Sequence, residues 1–241
     1  MTDYLLIALL AVCASFIQRT TGFGFGVFIM TALPFLMPSY GEATALSGIL
    51  SIFTTLIICI RMYRYIVWKR LWPILITFIV TSFAAIYLLT LLPVRTLLVL
   101  LGFALILTSV YFLFVGGRLH PKPTTSLQIT TGVLSGLLGG FFGMQGPPVV
   151  LYFVSSEPDK NHYMGIISAY FLLGNLAMTL FRAYHGFVTQ AVALASLPGL
   201  LGIVIGTFLG SVVFEKIPAK AFRYVVYSYI GICGIIVLIT L

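Results

Sequence analysis

Few residues in this chain can do chemistry, and most of them fall in one stretch, Gln18-Arg19-Thr20-Thr21-Gly22-Phe23-Gly24-Phe25-Gly26. Apolar runs flank it on both sides, Leu5 to Ile17 and Val27 to Met37. A charge, two hydroxyls and three alternating glycines therefore sit at what should be bilayer depth. Glycine costs a helix about 1 kcal/mol per residue relative to alanine, and unwound backbone in lipid survives only inside protein or beside a cavity. The chemistry these residues suit is anion binding. A helix start offers free amides and about half a positive charge. Arg19 adds a planar donor fork matched to oxyanions, and Gln18, Thr20 and Thr21 add neutral donors. The competing reading is that the glycines only let helices approach closely, with Arg19 snorkelling to an interface.

A second stretch answers the first: Gly139-Gly140-Phe141-Phe142-Gly143-Met144-Gln145-Gly146-Pro147-Pro148. Gln145 and the backbone are its only polar groups, and Pro147 and Pro148 suit the first turn of a new half-helix. One arginine plus amides fits one small anion better than a large polyanion. The expected binding set is Gln18, Arg19, Thr20, Thr21, Gly22 and Gly24 from the first break, with Gly143, Gln145, Gly146 and Pro147 from the second. Ser47, His162 and Asn175 are weaker candidates. Ser47 belongs to a span rich in small and hydroxyl residues, Asn175 reads first as a helix-packing hydrogen bonder, and His162, near Glu157 and Asp159, reads first as a solvated loop histidine. The spacing Gly22-x-Gly24-x-Gly26 matches neither a P-loop nor a dinucleotide fingerprint.

The elements that must position these residues follow from composition. The chain has 241 residues, 61% hydrophobic and 7% charged, with a mean hydropathy of +1.15. That composition describes an all-α integral membrane protein, not a soluble core. The net charge of +8 is scattered through short loops and is no nucleic-acid signal; a positive-inside bias explains it better. Cys13, Cys59 and Cys233 lie far apart, as do His120, His162 and His185, so no metal and no cofactor is expected. The N-terminus lacks a basic n-region, and no removable signal peptide is expected.

The block Tyr4 to Met37 is too long for one span and too short for two, which fits two short helices meeting at the glycines. The polar stretch Gly116 to Ser126 divides the chain into an N-terminal membrane repeat, 1–115, a cytoplasmic linker, 116–126, and a C-terminal repeat, 127–241. Arg61-Met62-Tyr63 recurs as Arg182-Ala183-Tyr184, and Leu92-Pro93-Val94-Arg95 as Ile217-Pro218-Ala219-Lys220. Thr77, Thr81 and Ala85 correspond to Gly202, Gly206 and Gly210, so each repeat carries a face of small residues. The expectation is a short-helix pair plus three transmembrane helices per repeat, about ten helical segments with four of them short. An inverted arrangement assigns ten of the basic residues outside the break to one face and only Arg95 and Arg182 to the other. The positive-inside bias selects it over a parallel one.

The Gly-rich break after the first helix, its echo at Gly143-Met144-Gln145-Gly146-Pro147-Pro148, and the duplicated halves resemble the TauE/SafE sulfite exporter family over nearly the whole chain. The resemblance implies a multi-pass protein of the bacterial inner membrane that exports sulfite or a related organosulfur anion. The usual triple-glycine run is here Gly22-Phe23-Gly24-Phe25-Gly26, and Met144-Gln145-Gly146 replaces glycines in the second half. The expected function is secondary export of a small sulfur oxyanion by alternating access, not enzyme chemistry. The expected partners are that anion and the lipid bilayer, with a homo-oligomer as one assembly and no nucleic acid. Rival readings are an anion channel, separable by flux saturation and counterflow, a membrane-embedded enzyme acting on a sulfur species, and a scaffolding subunit.

Overall fold

A computed structural model describes residues 2–115, 124–157, 159–213 and 219–240. Most of the expected linker at 116–126 lies outside these residues, as does Lys216. Among the described residues every regular element is helical: α1 Thr2–Thr21, α2 Phe25–Ile29, α3 Leu33–Leu36, α4 Tyr40–Met62, α5 Trp68–Leu91, α6 Val94–Val110, α7 Thr125–Phe142, α8 Gly146–Ser156, α9 Lys160–Tyr184, α10 Gln190–Val213 and α11 Ala219–Ile239. Six of them are long and apolar enough to cross a membrane, and Tyr227–Ile239 adds a shorter apolar stretch. Their outer faces carry bare side chains such as Leu107, Val204 and Phe208, which only hydrocarbon would solvate without cost.

Local sequence sets the ends. Asp3 in the first turn of α1 and Arg19 in its last both complement the helix dipole. Ser39 caps α4 by accepting from the Glu42 amide. The helix pair expected around each glycine break has unequal limbs. The first limbs, α1 and α7, have 20 and 18 residues, whereas the second limbs are the 5-residue α2, followed by the 4-residue α3, and the 11-residue α8. The first limbs run on to the positive-φ glycines: α7 carries Gly139 and Gly140, expected at the break, within the helix and ends only at Gly143, as α1 ends at Gly22. Gly22, Gly24 and Gly143 then adopt positive φ, a backbone that side-chain-bearing residues rarely take.

Small residues decide which helices touch. Gly202, Gly206 and Gly210 of α10 lie against Ala8, Val12 and Phe16 of α1, in the same order, so these two helices run parallel. Gly132, Gly136 and Gly140 of α7 lie against Ile74, Phe78 and Ser82 of α5, again in parallel. By contrast α4 and α9 are antiparallel: Gly48 faces Thr179 and Arg182, while Gly165 faces Tyr65 and Met62. So are α6 and α11, where Gly102 faces Leu238 and the Ser109 hydroxyl donates to the Tyr227 carbonyl. Small side chains at four-residue spacing let helix backbones meet, which in lipid replaces the missing hydrophobic drive.

Candidate functional site

The two breaks meet inside the bundle. The space at the Gly26 α-carbon is filled by the Gly143 carbonyl, so the first and second breaks are in direct backbone contact. Alternation organises the first: while the glycines turn the chain, Phe23 packs on Phe112 and Tyr227, with ring centroids 4.8 and 6.4 Å away, and Phe25 is buried. Gln18, one turn back on α1, accepts from the Phe25 amide at 3.0 Å and so ties the start of α2 to the end of α1.

The second break is held more tightly. The Ser135 hydroxyl on α7 donates to the Gln145 carbonyl and lies 2.6 Å from the Tyr170 hydroxyl of α9. Gln145 itself donates from Nε2 to Asn175 Oδ1 at 2.9 Å, with both side chains buried. Between the breaks lies a small cavity lined by Gln18, Gly24, Gly26, Gly143, Gln145, Gly146 and Asn175, closed by Phe25, Val27, Met144 and Phe171 and by Ser51 and Thr55 of α4. Its volume is about 20 Å³, against the roughly 10–15 Å³ that one water needs on the same measure. This conformation therefore leaves only a water-sized space between the breaks.

Of the expected residues, Gln18, Gly24, Gly143, Gln145, Gly146 and the weaker candidate Asn175 line that space. Others do not. Arg19 is absent from the lining; its Cβ and Cγ rest against Gly210 of α10. Because α1 stays helical through Thr21, neighbours in sequence point about 100° apart, and Gln18 takes the inward direction instead. The Thr20 hydroxyl is spent on the Phe16 and Ile17 carbonyls. Thr21 ends α1, and Gly22 faces Met164 and Tyr163 at the start of α9. Pro147 does not line the cavity, and with Pro148 it removes two of the amides that a helix start would offer an anion. His162 is half-exposed beside Asp159, 3.5 Å away, with its ring edge-on to Tyr65, and it does not line the cavity. Ser47 stands next to the site: its Oγ is 3.4 Å from where a Gly143 β-carbon would be.

Ser51 and Thr55 carry a signal visible in the sequence, hydroxyls four apart on one helix face. Arg182 does not. As a counterpart of Arg61 it reads as an anchor at a membrane face, yet it is fully buried while Arg61 is exposed. Its Nη2 donates to the Gly139 and Gly140 carbonyls at 2.9 and 3.0 Å, at the C-terminal, partially negative end of α7. A face change of this kind depends on α7 ending beside α9, which no local pattern encodes.

The profile described as "Sulfite exporter TauE/SafE" matches residues 7–237. The chain is also 25% identical over 204 residues to a Cupriavidus necator protein described as "Probable sulfite/organosulfonate exporter TauE", covering 81% of this chain and 78% of that one. No solved structure matches the chain.

Proposed function

The chain belongs to the TauE/SafE sulfite exporter family, a family of transporters and not of enzymes, and from that premise we propose that it exports sulfite or a related organosulfonate across the bacterial inner membrane by alternating access. The observation that carries the mechanism is the meeting of two glycine breaks over a small cavity lined by Gln18, Gln145 and Asn175. Interrupted helices at a midplane cavity are a recurrent way to expose binding groups without exposing backbone to lipid. In this reading the anion replaces the water-sized contents of the cavity as the helices part. Gln18, Gln145, Asn175 and the Gly146 amide meet its oxygens.

Alternating access needs two states of similar energy, which inverted repeats supply by exchanging conformations between halves. The 1–115 and 127–241 segments are proposed to be such repeats. Three observations support this. The counterparts α4 and α9 run antiparallel, as do α6 and α11. The contact of α1 with α10 has its counterpart in that of α7 with α5. Finally, these directions put 61–70, the start of α9 and the end of α10 at one face of the bundle, with 92–95 at the other.

Uptake into proteoliposomes tests the function, using sulfite, sulfate, thiosulfate, sulfoacetate and lactate. Saturable sulfite or sulfoacetate uptake with counterflow is the expected result. Flux that rises without saturation would replace the transporter by a channel.

A further inference from the structure

Arg182 leaves half of its guanidinium unused. Nη2 is engaged on α7, but Nε and Nη1 are buried with no hydrogen-bond partner. Among the described residues the ion pairs are Arg70 with Glu157 and His162 with Asp159, so no carboxylate neutralises Arg182. The nearest buried acid along α4, Glu42, already accepts from Ser39 and Thr189. A buried, uncompensated cation with spare donors is costly unless a counter-charge visits it. The α7 carbonyls offset only part of that cost, since a helix end carries about half a charge.

The unused donors do not stand alone. The Thr179 Oγ1, Ser47 Oγ and Tyr40 hydroxyls are also buried without partners. Thr179 Oγ1 and Arg182 Nη1 meet at Gly48, where a β-carbon would sit 2.7 and 3.5 Å from them, and Ser47 Oγ faces Gly143, just past the end of α7 that Arg182 binds. Tyr40 lies within electrostatic range of Arg182. Position along the helices matters as well. Thr55, Ser51 and Ser47 descend α4 at four-residue spacing, and Asn175, Thr179 and Arg182 descend the antiparallel α9 beside them. The upper members, Thr55, Ser51 and Asn175, line the cavity; the lower ones continue from it along α4 and α9 to Arg182.

We propose that the unpartnered face of Arg182, with Thr179, Ser47 and Tyr40, is a second anion station, about two helical turns along α9 beyond the Gln145–Asn175 cavity and on the side away from the basic loops. It takes a small oxyanion: Nε and Nη1 donate to its oxygens, and the three hydroxyls complete the shell. The neutral cavity selects by size, and the station supplies the charge that the cavity lacks. This inference rests on the reading of the protein as a carrier of small oxyanions, but assigns the charged contact to Arg182 in place of Arg19.

The test measures sulfite binding by calorimetry on purified, monodisperse protein, together with sulfite flux in proteoliposomes. Arg182→Gln should weaken binding by about ten- to a hundredfold, and Arg182→Lys should recover only part. Should Arg182→Gln fail to fold, Thr179→Val and Gly48→Ala leave the bonds to α7 in place and change only the unpartnered face. Each should weaken sulfite binding by about three- to tenfold. Wild-type affinity in these two variants, with sulfite still transported, would overturn the station and leave the exporter reading standing. If the wild-type protein ignores sulfite but binds sulfate, nitrate or sulfoacetate, and the variants lose that binding, the station holds and the sulfite reading fails. Absence of any anion binding by the wild type would overturn both.

Discussion

Gly26 and Gly143 share one space: the carbonyl of the second occupies the volume that a β-carbon on the first would need. The contact joins the two breaks through backbone alone, so no rotamer change can relieve an added methyl. Gly26→Ala is expected to destabilise the protein by about 1–3 kcal/mol, the usual range for overpacking, and to abolish most sulfite flux by parting the breaks. Gly146 offers the contrast, because a β-carbon there meets only Phe171 and Phe23 at 3.5 and 3.6 Å, ordinary contact distances; Gly146→Ala should fold with a near-normal melting temperature. Thermal unfolding in detergent checks both, and a wild-type midpoint for Gly26→Ala would refute the contact.

The Gln145–Asn175 hydrogen bond predicts coupling. Truncating Gln145 to Ala leaves a buried amide on α9 without its donor, a loss of about 1–3 kcal/mol. Asn175→Ala should cost a similar amount for the same reason. The double variant should cost clearly less than the sum, since the pair is then absent from both sides. A double-mutant cycle on thermal stability and on sulfite affinity reads this directly; strict additivity would mean that the two amides act independently.

Gln18 and Arg19 should separate cleanly. Gln18→Leu removes the acceptor of the Phe25 amide and places an apolar group at the cavity, so both stability and sulfite affinity should fall, the latter by about tenfold. Arg19→Ala changes a side chain that rests on Gly210 outside the cavity. Its effect on affinity should stay within about twofold, as for substitutions away from a site. Calorimetry on the two proteins decides the order, and a larger loss in Arg19→Ala would return the charged contact to Arg19.

Orientation is open to labelling. In a background free of Cys13, Cys59 and Cys233, single cysteines at Lys69 and Lys216 should react with an impermeant maleimide from the same face, and one at Arg95 from the opposite face. Reaction of Lys69→Cys and Lys216→Cys from opposite faces would exclude inverted repeats.

Much of this protein is legible in its sequence because the bilayer leaves so few options. Apolar length determines that the chain is a set of helices, and backbone that cannot be satisfied in lipid marks Gly22–Gly26 and Gly143–Gly146 as enclosed by protein. The faces of small residues at Gly202, Gly206 and Gly210 and at Thr77, Thr81 and Ala85 are equally plain, since period alone reveals them. Gln145 and Gln18 stand out as polar groups where nothing polar belongs. Tertiary structure decided the rest. Whether Gln18 or Arg19 points inward depends on how far α1 stays helical before it breaks and on where α10 lies against it. Asn175 becomes part of the cavity only because α9 passes the second break. Arg182 changes most of all: in sequence it is a basic residue at the end of a span, alike in type and spacing to Arg61. Only the end of α7, docked against α9, draws one of the two into the interior and gives its charge a pair of carbonyls, while the other stays in the open. Periodicity and composition see one helix at a time, and a buried charge is decided by which helix end meets it.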